Sequence, residues 1–300
     1  MSPYVLFQRS ASTIGPLQQG GDQSLQSSPV PTDAYIRSDA FGLYCKPRVE
    51  QKHFEANKTS WTVDELQFLA AYFVSRGVTK IRLTGGEPLL CGDLEDLIGS
   101  LHALRSLNSP VGGLRHISMT TNGVTFSRKA ADLKAAGLNS VNISLDSLRA
   151  DRVRRLTGFP VLKHTISAIY AALEHEYNPV KVNCVLIRGF NDDELTDFVK
   201  MTEKLPIEVR FIEYMPFAGN QWEQKKMIPF LEMMQDVRVH YPNLEVVPAQ
   251  SDSTAKVMNG DVGIGKMQAN LKISLLSRWL TWESFFSILV ILPLIYCLYR

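Results

Sequence analysis

Two adjacent glycines, Gly85 and Gly86, stand between the strand-like run Lys80-Ile81-Arg82-Leu83, followed by Thr84, and a helix-like stretch that opens near Asp93. Neither carries a Cβ, so the backbone there can approach a ligand closely. Glu87 and Pro88 follow directly. Polar residues recur where other apolar runs end: Thr120 and Asn122, Ser144 and Asp146, Glu213. Two runs also contain a cation, Arg82 and Lys181. An arginine in such a run is either an edge residue or an inward cation whose rigid donor fork takes a phosphate or a purine. Lys181 has the same two readings, and a third as a Schiff-base nucleophile. Thr121 and Asn122 read best as caps of the following helix. Ser144 and Asp146 fit turn positions equally well, and Met215 fits the core unless neighbouring motifs claim it.

The four cysteines, Cys45, Cys91, Cys184 and Cys297, are scattered, and the chain has no C-x-x-C pair. That spacing is not a disulfide framework and points to a reducing compartment. By count alone it argues against a metal or cluster protein. Lysines and arginines nearly balance acids, for a formal charge of +2. Bulk charge therefore favours neither nucleic acid nor an acidic surface.

These residues need elements to hold them. From about residue 60, helix-like and strand-like segments alternate. Thr62 and Glu65 form a capping-box pattern, followed by the helical apolar face Leu66, Leu69, Ala70, Phe73 and a stop at Gly77. Strands are expected over 80–83, 116–121, 140–145, 180–187 and 208–214. Helices are expected from Asp93, over 127–136 and 161–176, from Asn191 with Glu194 as its cap partner, and over 226–240. Such βα units, roughly 25–40 residues each, predict a parallel sheet covered by helices. A barrel and an open doubly wound sheet both place ligands at strand C-termini, so the pattern does not separate them.

The ends differ from this middle. Residues 1–33 are rich in Ser, Gln, Gly and Pro and are expected to be disordered, as a transit peptide or an ordinary tail. The barrel is assigned to 34–256 and an unrelated tail to 257–300. The apolar run 285–299 would make a helix of about 22 Å against a hydrocarbon core of about 30 Å. It is short for a membrane anchor and contains Pro293, so translated intron or alternative-exon sequence is the preferred reading.

Five blocks occur in order: Arg82-Leu83-Thr84-Gly85-Gly86-Glu87-Pro88, Thr120-Thr121-Asn122-Gly123, Asn142-Ile143-Ser144-Leu145-Asp146, Val180-Lys181-Val182-Asn183 and Arg210-Phe211-Ile212-Glu213-Tyr214-Met215-Pro216. The set resembles the radical S-adenosylmethionine (SAM) GTP 3′,8-cyclases of molybdenum cofactor biosynthesis. Asp252-Ser253-Thr254-Ala255-Lys256 extends the likeness. The resemblance implies an incomplete parallel (β/α)6 barrel, a [4Fe-4S] cluster that coordinates SAM, and GTP as substrate. It also implies an electron donor, a cyclic pyranopterin monophosphate synthase accessory protein in the same pathway, and a mitochondrial location. Nucleic acid is not an implied partner. By position, Tyr44, Gly86, Ser144 and Met215 would contact SAM; Arg82, Thr120 and Lys181 would contact GTP; Cys45 would ligate the cluster. A cationic Lys181 at a phosphate then explains that residue better than a Schiff base.

The chain departs from the pattern twice. The family's C-x-x-x-C-x-x-C supplies three thiolates. Here only Tyr44-Cys45-Lys46-Pro47 matches its end, and the first barrel strand is expected to be missing, with a junction near Gly42 and Leu43. After about Val257 the family's second set of cysteines and its arginines are absent. These departures lead to an expectation of lost catalysis. The alternatives are a non-catalytic isoform, membrane-tethered through its tail, and a Schiff-base barrel lyase.

Overall fold

The computed structural model describes residues 4–7, 33–38, 62–85, 87–107, 112–214, 223–242, 245–247, 256–261 and 268–273. Seven parallel strands form one sheet in sequence order: β1 (Tyr4–Phe7), β2 (Asp33–Ser38), β3 (Lys80–Gly85), β4 (His116–Thr121), β5 (Ser140–Ser144), β6 (Val180–Leu186) and β7 (Ile207–Glu213). Strand order decides what motif order could not. A doubly wound sheet reverses direction at a switch point, whereas this one is wound in one sense throughout. Right-handed crossovers then lay every helix on one side. The result is the incomplete α/β barrel expected, with a helix-covered outer face and an inner face.

By sequence pattern the first surviving strand is expected at Lys80. The described residues include two more beyond it, with β2 paired to β3 from Asp33–Lys80 to Ser38–Gly85. Neither carries a clear apolar pattern. Tyr4–Phe7 has four residues, inside the span expected to be disordered, and Arg37 breaks the apolar content of Asp33–Ser38.

Helices α1 (Val63–Ser75), α2 (Leu94–Ala103), α3 (Phe126–Ala136), α4 (Ala150–Thr157), α5 (Leu162–Glu174), α6 (Leu195–Lys204) and α7 (Phe230–His240) complete the layer. The capping box forms as read: Glu65 N–H donates to Thr62 Oγ1 at 3.2 Å, and Thr62 N–H donates to Glu65 Oε2 at 2.9 Å. Gly137, at φ 115°, ends α3 in a conformation that glycine adopts without strain. The core lies between sheet and helices. Ile81, Leu83, Ile117, Met119, Val141, Ile143, Val182, Cys184, Val209 and Phe211 turn outward to meet Ile98, Leu101, Phe126, Leu133, Ile169 and Phe198. Burying each large side chain stabilises the fold by about 1.5–3 kcal/mol before conformational entropy is counted.

A second, antiparallel sheet of β8 (Glu245–Val247), β9 (Lys256–Asp261) and β10 (Gln268–Ile273) lies against β7, and β10 also meets α6. Two of its strands fall in the stretch read from sequence as an unrelated tail. No described helix is long and apolar enough to cross a membrane. The run 285–299 lies outside the described residues.

Candidate functional site

Strand alternation sends every second residue to the inner face. In β6 these are Lys181, Asn183 and Val185, between fully buried Val182 and Cys184. Register stacks the inner residues into layers. Lys80 pairs with His116 at the bottom. Arg82, Ser118 and Ser140 follow. Thr120, Asn142, Lys181 and Glu208 form the next layer, and Ser144, Asn183 and Arg210 the one above. Three residues singled out from sequence, Thr120, Lys181 and Ser144, thus lie in neighbouring layers of adjacent strands, with Arg82 beneath. Asn142 stands between Thr120 and Lys181 and donates to Thr120 Oγ1 at 3.3 Å. Arg82 Nε donates to Ser118 Oγ at 3.4 Å.

The lower layers are strongly positive. Burial first, then the charges of Lys181, Lys80, Arg105 and Arg82, hold the His116 imidazole below its usual range. Its Nε2 lies 2.8 Å from Ser140 Oγ. Such a face suits an anion that can accept from several donors at once, as a polyphosphate does. Lys80, His116, Asn142 and Arg210 were not singled out as ligand residues. Alternation within β3 and β4 would have shown Lys80 sharing a face with Arg82, and His116 with Thr120.

The strand ends are built differently. Glu87 is 5% exposed and joins two loops. Its carboxylate accepts from Thr121 Oγ1 at 2.7 Å, Asn122 N–H at 2.7 Å and Leu89 N–H at 3.2 Å. Burial pushes its pKa up, while these three donors pull the other way. Thr121 and Asn122 were expected to cap α3, but they do not. Thr125 is the N-cap and makes no side-chain cap bond. Thr121 is taken by Glu87 and by Gly123 N–H, and Asn122 Oδ1 accepts from Val124 N–H. The turn is also held from α5, where Thr165 Oγ1 donates to Asn122 O at 3.0 Å. A Cβ on Gly123 would come within 3.0 Å of Ala168 Cβ, at a φ of 78°.

The loop after β5 has a similar anchor. Glu194 is fully buried and accepts from Ser147 Oγ at 2.8 Å and from Leu148 N–H at 2.6 Å, with Arg152 as its ion-pair partner. Asn191 was read as the cap of the next helix. Instead it accepts from Ile187 N–H and donates to the backbone oxygens of Asp146 and Val185. Glu213 accepts from Phe230 N–H at 3.0 Å and so holds the start of α7 rather than a ligand. Tyr44, Cys45, Gly86 and Met215 lie outside the described residues.

A singly wound parallel barrel with two backbone-anchored loops at its strand ends, above a polar inner face, defines the α/β-barrel class whose ligands sit at the strand C-termini. This chain belongs to the radical SAM superfamily, whose family model matches residues 43–202. It is similar to molybdenum cofactor biosynthesis protein 1 of Mus musculus, with 43% identity over 255 residues, covering 78% of this chain and 38% of that protein. The Homo sapiens protein of the same name is 46% identical over 71% of this chain and 32% of its own length. A protein of Arabidopsis thaliana named mitochondrial GTP 3′,8-cyclase is 43% identical over 71% of this chain and 53% of its own. The chain thus spans between about a third and about half of these relatives. Among solved structures, SuiB of Streptococcus suis bound to S-adenosylmethionine shares the fold, with a TM-score of 0.52 at 16% identity over 70% of this chain and 46% of that one.

Superfamily membership implies SAM and a [4Fe-4S] cluster as cofactors. The polar strand ends suit the small-molecule cofactor. The cysteines do not suit the cluster. Cys184 points into the helix-facing core, and burial drives its thiol pKa well above the usual value, further raised by Asp146 and Glu194. A thiol held neutral in this way is a poor metal ligand. Cys91 is half-buried beyond the Pro88–Leu90 turn. Among the described residues no three His, Cys, Asp or Glu side chains gather as a metal-holding group.

Proposed function

We propose that this chain is a GTP 3′,8-cyclase-type protein of mitochondrial molybdenum cofactor biosynthesis that binds GTP and SAM without carrying the family's radical reaction by itself. One observation carries the nucleotide part: Thr120, Asn142 and Lys181 share a register layer directly above Arg82. In this reading the triphosphate lies along the cationic lower layers, with Lys181 and Arg82 donating to its oxygens and Thr120 and Asn142 filling the polar positions between them. Ser144, one layer higher, meets the cofactor. The cysteine chemistry carries the second part. Three irons need three thiolates, the motif supplies Cys45 alone, and Cys184 is sealed in the core.

Anaerobic reconstitution of the purified chain tests both parts. GTP should bind saturably, iron should load below four per chain, and a reductant should release no 5′-deoxyadenosine from SAM. Four-iron loading with 5′-deoxyadenosine formation would reject the loss of chemistry. Absence of GTP binding would reject the nucleotide site.

A further inference from the structure

Asp146 lies two residues beyond Ser144, where β5 has ended. Its Oδ1 accepts from Val185 N–H of β6 at 2.7 Å, which prolongs the β5–β6 ladder past its last pair, Ser144 and Asn183. Its backbone oxygen accepts from Asn191 Nδ2 at 2.6 Å. The residue is therefore fixed at backbone and side chain. Its other carboxyl oxygen has no hydrogen bond to any described residue, and no cation stands beside it among them. Burial lifts the group to about 6, and only the Val185 N–H opposes that rise. Asn183 Oδ1, across the ladder beside Ser144, is also buried without a hydrogen-bond partner among the described residues.

A carboxylate drawn partly out of water with no counter-charge is destabilised, and a cationic ligand offsets that cost. The layers below are already cationic, and at this level Arg210 lies towards Glu208, its Nε 3.7 Å from Glu208 Oε1, so no described cation of the face stands beside Asp146. The cofactor implied for the superfamily is a sulfonium cation. We infer that Asp146 is the counter-charge for the sulfonium of bound SAM, with the amide oxygen of Asn183 as a second negative end beside it. This rests on the cofactor site proposed above. It adds that the site discriminates by charge, favouring SAM over its neutral thioether analogue, S-adenosylhomocysteine.

The competing role is that of a brace for β5 and β6 alone. Asp146→Asn separates the two, because the amide oxygen can still accept from Val185 N–H while the charge is lost. The test is equilibrium binding of SAM and of S-adenosylhomocysteine to the full chain, wild type and variant, with thermal melting as a fold control. SAM affinity should fall about tenfold in Asp146→Asn, with the thioether unaffected and the melting point not lowered. Wild-type SAM affinity should also weaken from pH 7 to pH 5 as Asp146 takes up a proton, and the variant should show no such slope. Of the groups that touch Asp146, the Cys184 thiol is held far above that range, and Asn191 and Val185 do not ionise.

Asn183→Asp leaves the brace intact and should raise the preference for SAM over the thioether several-fold. Equal effects on both ligands, or no effect in either variant, overturn the inference and leave Asp146 as a brace. A wild-type chain that binds neither ligand overturns the cofactor site itself, and the inference with it.

Discussion

The inner face of the barrel and the loops at its rim solve opposite electrostatic problems. On the face, Lys80, Arg82, His116 and Lys181 gather, and burial first, then these charges, weakens the hold of the imidazole on its proton. At the rim, Glu87 and Glu194 are buried acids satisfied from within, Glu87 by two backbone amides and a hydroxyl, Glu194 by one of each and by Arg152. Rim acids hold loops in shape. Face cations crowd one surface, which suits an anion that accepts from several of them at once. Asp146 lies between these regions and belongs to neither, since only one of its oxygens is used.

The comparison can be broken at the rim first. Glu194→Ala should cost about 4 kcal/mol in urea unfolding, because it strands Arg152 as well as Leu148 N–H and the Ser147 hydroxyl. A loss near the surface-substitution range would mean that water replaces the carboxylate freely. Glu87→Ala should cost about 3 kcal/mol, since its partners are neutral donors. If it costs more than Glu194→Ala, the Arg152 ion pair contributes less than its burial suggests. On the face, Lys181→Met should lower GTP affinity about thirtyfold, or about 2 kcal/mol, and leave unfolding little changed or slightly improved. Loss of stability there would show that Lys181 is a structural residue after all.

Much of the barrel is readable in the sequence, because each of β3 to β7 alternates apolar residues, buried against the helices, with mostly polar ones on the inner face. The α4 helix is not. Ala-Asp-Arg-Val-Arg-Arg-Leu-Thr buries only Val153 and Thr157, so it lacks the apolar stripe that marks the others. The candidate ligand residues were legible one by one as polar interruptions at strand ends, yet their layering was not. Thr120, Asn142 and Lys181 meet through register, and register is set by packing across 22 and 39 positions of chain, not by any local motif. Glu87 was invisible for the same reason. Its partners Thr121 and Asn122 sit more than thirty residues downstream, where helix capping was the simpler local account.

The Glu87 carboxylate has a mechanical consequence for the two loops it joins. Neither can open alone. To release the Asn122 amide, the chain must also free Thr121 and uncover a buried acid, so the two turns should exchange their amide protons as one cooperative unit. A ligand that settles on either turn would then quiet both, and a signal could pass between two strands of the barrel through a single side chain.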